Sequence, residues 1–199
     1  MSKILSTLAA AAFSLFVATS ASAGPATDLV RTKQAQLFKV IAEPASDAQQ
    51  TKLNQLFDEM IAYDEFAARS LGEKWSERSD AEKKRFSTLL TELVRANYRK
   101  NIKKLIDFDV SYDKEGASDG ATTVTTLAKP KRQSKEPDIE VEFRLQTIGG
   151  KLKVVDIVTE KASMVKTFRS QFLKVLNKDG FEALIGKMQK KLDKLNKGS

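Results

Sequence analysis

Four carboxylates stand beside apolar segments in this 199-residue chain: Asp64, Asp107, Asp109 and Asp156. Two carboxyl groups pushed apart in acidity by burial could do general acid/base work, with Asp156 or Tyr98 as the proton carrier. Few other residues offer chemistry. The chain has no Cys and no His, which removes thiolate nucleophiles, imidazole bases, disulfides and zinc sites of the ordinary kind. The phosphate-cradling patterns G-x-x-x-x-G-K-[ST] and G-x-G-x-x-G are absent as well. The neighbours of the four aspartates make no known acid/base motif, and hydration or a Lys/Arg partner accounts for each equally well. The residues therefore point to a binding protein rather than an enzyme, with no cofactor and no metal.

Charge narrows the partners. There are 34 Lys+Arg against 26 Asp+Glu, a formal net charge of +8. The basic residues are interleaved with acids and are densest at the carboxyl end and over 129–135. No aromatic residues alternate with them to make a stacking platform, so no nucleic acid partner is expected. Attraction to an anionic lipid surface or to an acidic docking partner fits better.

The first residues carry an export pattern. Lys3 precedes an uncharged run over 4–19 (ILSTLAAAAFSLFVAT), and Ala21-Ser22-Ala23 supplies small residues at both positions that signal peptidase reads. The run is short and rich in Ala and Ser for a membrane anchor. Cleavage after Ala23 would leave 176 residues beginning at Gly24, with a charge of +7 because Lys3 is the one charged residue removed. The expected outcome is a soluble protein outside the cytoplasmic membrane.

The remaining residues set out the elements that must position any site. Apolar residues recur at helical spacing over 27–43, from Asp47 onward, over 64–71, and from Ser79 to about Ile106, where Ser79-Asp80-Ala81-Glu82 is a capping box. On the last of these the stripe continues through Asn97, Asn101, Ile102 and Leu105. The period then becomes two. Phe108, Val110 and Tyr112 alternate with polar residues, Gly116 to Gly120 turns the chain, and 122–127 is β-branched. Ile139, Val141, Phe143 and Leu145 alternate cleanly, and Gly149-Gly150 signals a hairpin into 151–160. Helices return from Ser163, with a break at Gly180, and run to about 196. Four successive strands with short links predict an antiparallel meander. The fold class is α+β, one four-stranded sheet faced by helices over residues 24–199. The nine Phe that follow the export run either fill a core or line a gap between helices and sheet, and periodicity alone leaves both open.

Three stretches resemble the MlaC (toluene-tolerance auxiliary) family of periplasmic phospholipid-binding proteins. Tyr63 to Trp75 (YDEFAARSLGEKW) is similar to its D-F-x-x-x-A-x-x-x-L-G-x-x-W pattern. Phe86, Leu89, Leu90 and Tyr98 resemble its F-x-x-L-L…Y helix. Lys151 to Phe172 (KLKVVDIVTEKASMVKTFRSQF) resembles W-K-V-Y-D-V-x-x-x-G-x-S-L-V-x-x-Y-R-x-Q-F, with Leu152 and Val155 in place of the family's Trp and Tyr. The resemblance implies a carrier that shuttles phospholipid between an inner-membrane ABC-transporter complex and an outer-membrane lipoprotein complex, touching membranes only transiently. It implies an apolar cavity between helices and sheet. The wall candidates are Phe66, Leu71, Leu90, Leu93, Val110, Val141, Phe143, Val154, Ile157, Val165 and Phe168, while Trp75 would hold the third helix in place or border the mouth. Arg169 would meet a lipid phosphate or form an ion pair with Asp156. The rivals are an enzyme on a similar scaffold and a chaperone or interaction module with a filled core.

Overall fold

The computed structural model describes residues 24–131 and 137–197, with the side chains of 100–105 left aside. The export pattern, the 132–136 part of the basic connection, and the stripe positions Asn101, Ile102 and Leu105 therefore lie outside what is described below. Six helices and five strands follow one another: α1 Pro25–Ile41, α2 Asp47–Met60, α3 Tyr63–Leu71, a 3-10 turn Gly72–Trp75, and α4 Asp80–Leu105. Then come β1 Phe108–Ser118, β2 Ala121–Pro130, β3 Ile139–Ile148, β4 Lys151–Thr159, β5 Ala162–Ser163, α5 Met164–Asp179 and α6 Phe181–Lys197.

Local chemistry explains the helix starts. Before α4 the Ser79 amide donates to Glu82 Oε2 at 2.8 Å and the Glu82 amide donates to Ser79 Oγ at 3.3 Å, the reciprocal pair expected. Ser46, not Asp47, caps α2: its backbone is extended and its Oγ accepts the Gln49 amide at 3.1 Å. At α1 the cap comes from another element. Glu115 on β1 accepts both the amide and the hydroxyl of Thr27, at 2.8 and 2.7 Å, which ties the first helix to the first strand. Its carboxylate lies where a Cβ on Gly24 would stand, 2.1 Å from Glu115 Oε1, so a side chain at 24 would push the Glu115 carboxylate aside and loosen this cap.

The sheet is an antiparallel meander in the order β1-β2-β3-β4-β5, with five strands where four were expected. The extra strand is two residues long: after β4 the chain turns at Glu160 and Lys161, and Ser163 pairs with Val158 before entering α5. Both turn residues have positive φ, 49° and 66°, as do Asp119-Gly120 and Gly149-Gly150 at the two other tight hairpins. Those two use glycine; the third does not, and its missing glycine is why the strand escaped notice. A non-glycine residue in this conformation costs about 1–2 kcal/mol. Lys161→Gly is therefore expected to stabilise the fold by about 1 kcal/mol, read as a higher midpoint in thermal unfolding.

β4 is buried along 154–158. Helices α2, α3 and α5 pack against it, and its outer edge is covered by β5 and by the link between α2 and α3, where the Ala62 amide donates to the Val154 carbonyl at 2.9 Å. Arg144 pairs with Asp156 and Leu145 with Val154, so Val155 is the extra residue of a bulge. Phe57, Phe66, Phe86, Leu71, Leu90, Leu145 and Val154 are fully buried between sheet and helices.

Candidate functional site

The strand register lines up three rows on one sheet face. Val110, Ala128 and Ile139 form one; Tyr112, Thr126, Val141 and Thr159 the next; Val124, Phe143 and Ile157 the third. Over these rows lies a pocket of about 680 Å³. Leu37 and Phe38 of α1, Phe57 and Met60 of α2, Tyr98 of α4 and Met164 of α5 close it from the helix side, and Phe108 lies at the strand entrance. Asp107, Pro137 and Thr159, all exposed, border it where it meets solvent.

The wall holds its few polar groups in local bonds. The Thr126 hydroxyl donates to the Val141 carbonyl at 3.0 Å. Tyr98 lies tilted against Phe57 with ring centroids 4.8 Å apart, and burial pushes its phenol well above the ordinary range, so it stays protonated at any physiological pH. Among the described residues no Lys or Arg lines this pocket. Nor do the described residues contain a cluster of side chains that could hold a metal ion.

Of the wall candidates that the resemblance implied, Val110, Val141, Phe143 and Ile157 line this pocket. The others lie elsewhere. Phe66, Leu71, Leu90 and Val154 are sealed in the core, and Val165 is buried beside them. Phe66 meets Phe168 edge-on at 6.1 Å, Phe168 stacks on Phe172 at 5.3 Å, Phe172 meets Phe86 at 5.4 Å, and Phe86 meets Trp75 at 6.3 Å. This chain of rings joins α3, α4 and α5. Phe168 and Leu93 line a second pocket of about 180 Å³ among α4, α5 and α6. Trp75 borders a shallow surface depression with Lys83 6.0 Å from its ring. Arg169 is exposed, and its guanidinium lies over Gly72 (φ +57°), where a Cβ would come within 2.4 Å of Nη2. Five lining residues not named as wall candidates, Gln34, Leu37, Phe38, Phe57 and Met60, come from α1 and α2. Phe38, Phe57 and Met60 stood on apolar helical stripes, a signal that a filled core produces equally well.

The four aspartates are not gathered. Asp64 lines the shallow depression, Asp107 the rim of the large pocket, and Asp109 is exposed on β1. Asp156 is buried and fully engaged: it accepts the Ile157 amide at 2.9 Å, the Val165 amide at 3.0 Å and the Ser163 hydroxyl at 2.6 Å. Its nearest cation is Arg144, at 4.0 Å, rather than Arg169. Gly116-Ala117-Ser118-Asp119-Gly120 has the letters of a nucleophile elbow, G-x-S-x-G, but it closes a hairpin between antiparallel strands instead of leading from a strand into a helix. With no His in the chain, that serine has no imidazole base.

Among the described residues no helix is long and apolar enough to cross a membrane. No curated protein matches the sequence. Among solved structures, the phospholipid-binding protein from Ralstonia solanacearum, determined in complex with a phospholipid, superposes with a TM-score of 0.71 at 16% identity, over 85% of this chain and 97% of that one. At that identity the likeness speaks to the fold, the same arrangement of helices on an antiparallel sheet. The family model described as MlaC protein matches residues 31–190, a span that runs from α1 into α6 and takes in every wall of the large pocket. The chain belongs to the MlaC family.

Proposed function

We propose that this protein is a phospholipid carrier and that the 680 Å³ pocket is its acyl-chain chamber. The observation that carries the reading is the wall itself: apolar side chains from the sheet and four helices, with a buried hydroxyl already bonded to backbone. Hydrocarbon needs such a surface. Holding one methylene in water costs about 0.8 kcal/mol, so two chains of about fifteen carbons cost on the order of 24 kcal/mol. A carrier must cover the tails and can leave a hydrated headgroup outside, here toward Asp107, Pro137 and Thr159. It needs no reactive side chain, and Asp156 and Tyr98, the two candidates for one, are respectively held by three hydrogen bonds and kept protonated by burial.

The Ralstonia solanacearum protein of the same fold was captured with a phospholipid, which supports the ligand class. Export to the periplasm with cleavage after Ala23, and exchange of lipid with an inner-membrane ABC-transporter complex and an outer-membrane lipoprotein complex, complete the proposed role.

The test is purification without detergent, followed by lipid extraction and native mass spectrometry. Phospholipid in stoichiometric amount is the expected result. Protein that is lipid-free and also fails to take up phospholipid from vesicles would overturn the reading.

A further inference from the structure

The two pockets share one lining residue. Asn97 on α4 lines both the 680 Å³ and the 180 Å³ pocket. On each side of it the same two helices carry the wall onward: Tyr98 and Met164 face the large pocket, while Leu93 and Phe168, one turn away along α4 and α5, face the small one. The two pockets thus follow one another along α4 and α5. Beyond Asn97, Val175, Leu184 and Met188 give the small pocket an apolar floor, and the exposed Gln171, Lys187 and Lys191 stand at its solvent edge.

Volume gives this continuity a purpose. An apolar protein cavity of about 150 Å³ accepts one six-carbon ring, so 680 Å³ corresponds to roughly 27 carbons and 180 Å³ to roughly seven more. Two chains of about sixteen carbons, the length that fills one leaflet of a roughly 30 Å hydrocarbon core, total about 32. The large pocket alone is short by several carbons, and the small one makes up the difference. We propose that the α4–α5–α6 pocket takes the terminal segment of one acyl chain, with Asn97 as the step over which the chain passes, so that this pocket sets the longest chain the protein holds. The proposal rests on the carrier reading above and goes beyond it in naming a chain-length determinant.

The experiment compares the unaltered protein with Val175→Phe, which fills the small pocket from α5 without touching the large one. Binding of dimyristoyl- and dioleoylphosphatidylethanolamine is measured from vesicles by native mass spectrometry. Both proteins are expected to bind the dimyristoyl lipid equally, and V175F to bind the dioleoyl lipid at least about tenfold more weakly, the effect of returning about two methylenes to water. An unchanged dioleoyl-to-dimyristoyl ratio in V175F would overturn the proposal. A phospholipid carrying a diazirine on the last carbon of one long chain supplies a test in the unaltered protein: crosslinks are expected on Leu93, Phe168 or Met188, and crosslinks confined to the large pocket would also overturn it. If the unaltered protein binds neither lipid, the carrier reading falls and this proposal falls with it; if it binds both and V175F discriminates no better, only the chain-length proposal falls.

Discussion

Replacing Asp156 with alanine is expected to lower the unfolding free energy by about 3–5 kcal/mol, the sum of leaving several buried donors without an acceptor. The carboxylate is 5% exposed and holds three groups at once: the amides of Ile157 and Val165 and the hydroxyl of Ser163. The Val165 amide belongs to the first turn of α5, where no helical carbonyl is available to it. Ser163 passes the effect on, because its oxygen accepts the Lys166 amide at 3.0 Å while its proton goes to Asp156. One side chain thus fixes the turn out of β4, the short β5 and the start of the helix that carries Phe168 and Phe172. A negative charge at a helix amino terminus is favourable in its own right. Asp156→Asn keeps an acceptor for the two amides but turns a donor toward Ser163, so it should cost less, about 1–2 kcal/mol. Urea unfolding followed by circular dichroism should rank the unaltered protein above D156N and D156N above D156A. An alanine variant as stable as the parent would show that the carboxylate is not the pin described here. The same pair separates structure from chemistry. At temperatures where D156N is folded it should load phospholipid like the parent, whereas a proton-transfer role would make that conservative change as damaging as alanine.

How far the sequence leads depends on whether a feature is written locally. Helix limits are local, and Ser79, Glu82, Gly72 and Gly180 mark them because caps and breaks act within a turn. The face of each strand is local too: alternation places Val110, Val141, Phe143 and Ile157 on one side, and these are the candidates that reach the pocket. Register is not local. It brings Ala128 between Val110 and Ile139 and depends on irregularities at Tyr112/Lys114 and Arg144/Leu145 that no short pattern announces. Nor is the choice between core and wall. Phe66 and Phe57 stand on equally apolar helical stripes, yet Phe66 is sealed in the core with Phe168 edge-on to it and Phe57 faces the pocket with Tyr98. That difference is decided by how α2 and α3 lie against β4, a property of the assembled layers. Asp156 shows the opposite trap. A carboxylate in an apolar strand reads as candidate chemistry, and only its three donors, two of them seven and nine residues onward, reveal it as a structural acceptor.

Filling the pocket should abolish loading while sparing the fold, and Ala128→Trp is the substitution that separates the two. Ala128 is 3% exposed, lies on β2 between Val110 and Ile139, and lines the large pocket. An indole there would occupy the place of roughly six methylenes of a bound chain. Returning those to water costs about 5 kcal/mol at about 0.8 kcal/mol each, a loss of more than about a thousandfold in affinity at about 1.4 kcal/mol per decade. A large residue forced into a packed core usually costs about 1–3 kcal/mol. Here the ring enters space that the protein leaves open, and its own burial returns about 2–3 kcal/mol, so the unfolding midpoint should stay near that of the parent or rise. Ala162→Trp is the control, since Ala162 is exposed on β5 and outside the pocket; it should load normally. Lipid extraction and thermal unfolding on the three proteins give the two readouts. Normal loading of A128W would show that the tails lie elsewhere, because a hydrocarbon slot cannot hold both the indole and the methylenes it displaces. Lost loading with a much lower midpoint would mean instead that the open space was packed tighter than its 680 Å³ implies. Lost loading with the midpoint intact is the result that only an acyl-chain chamber produces.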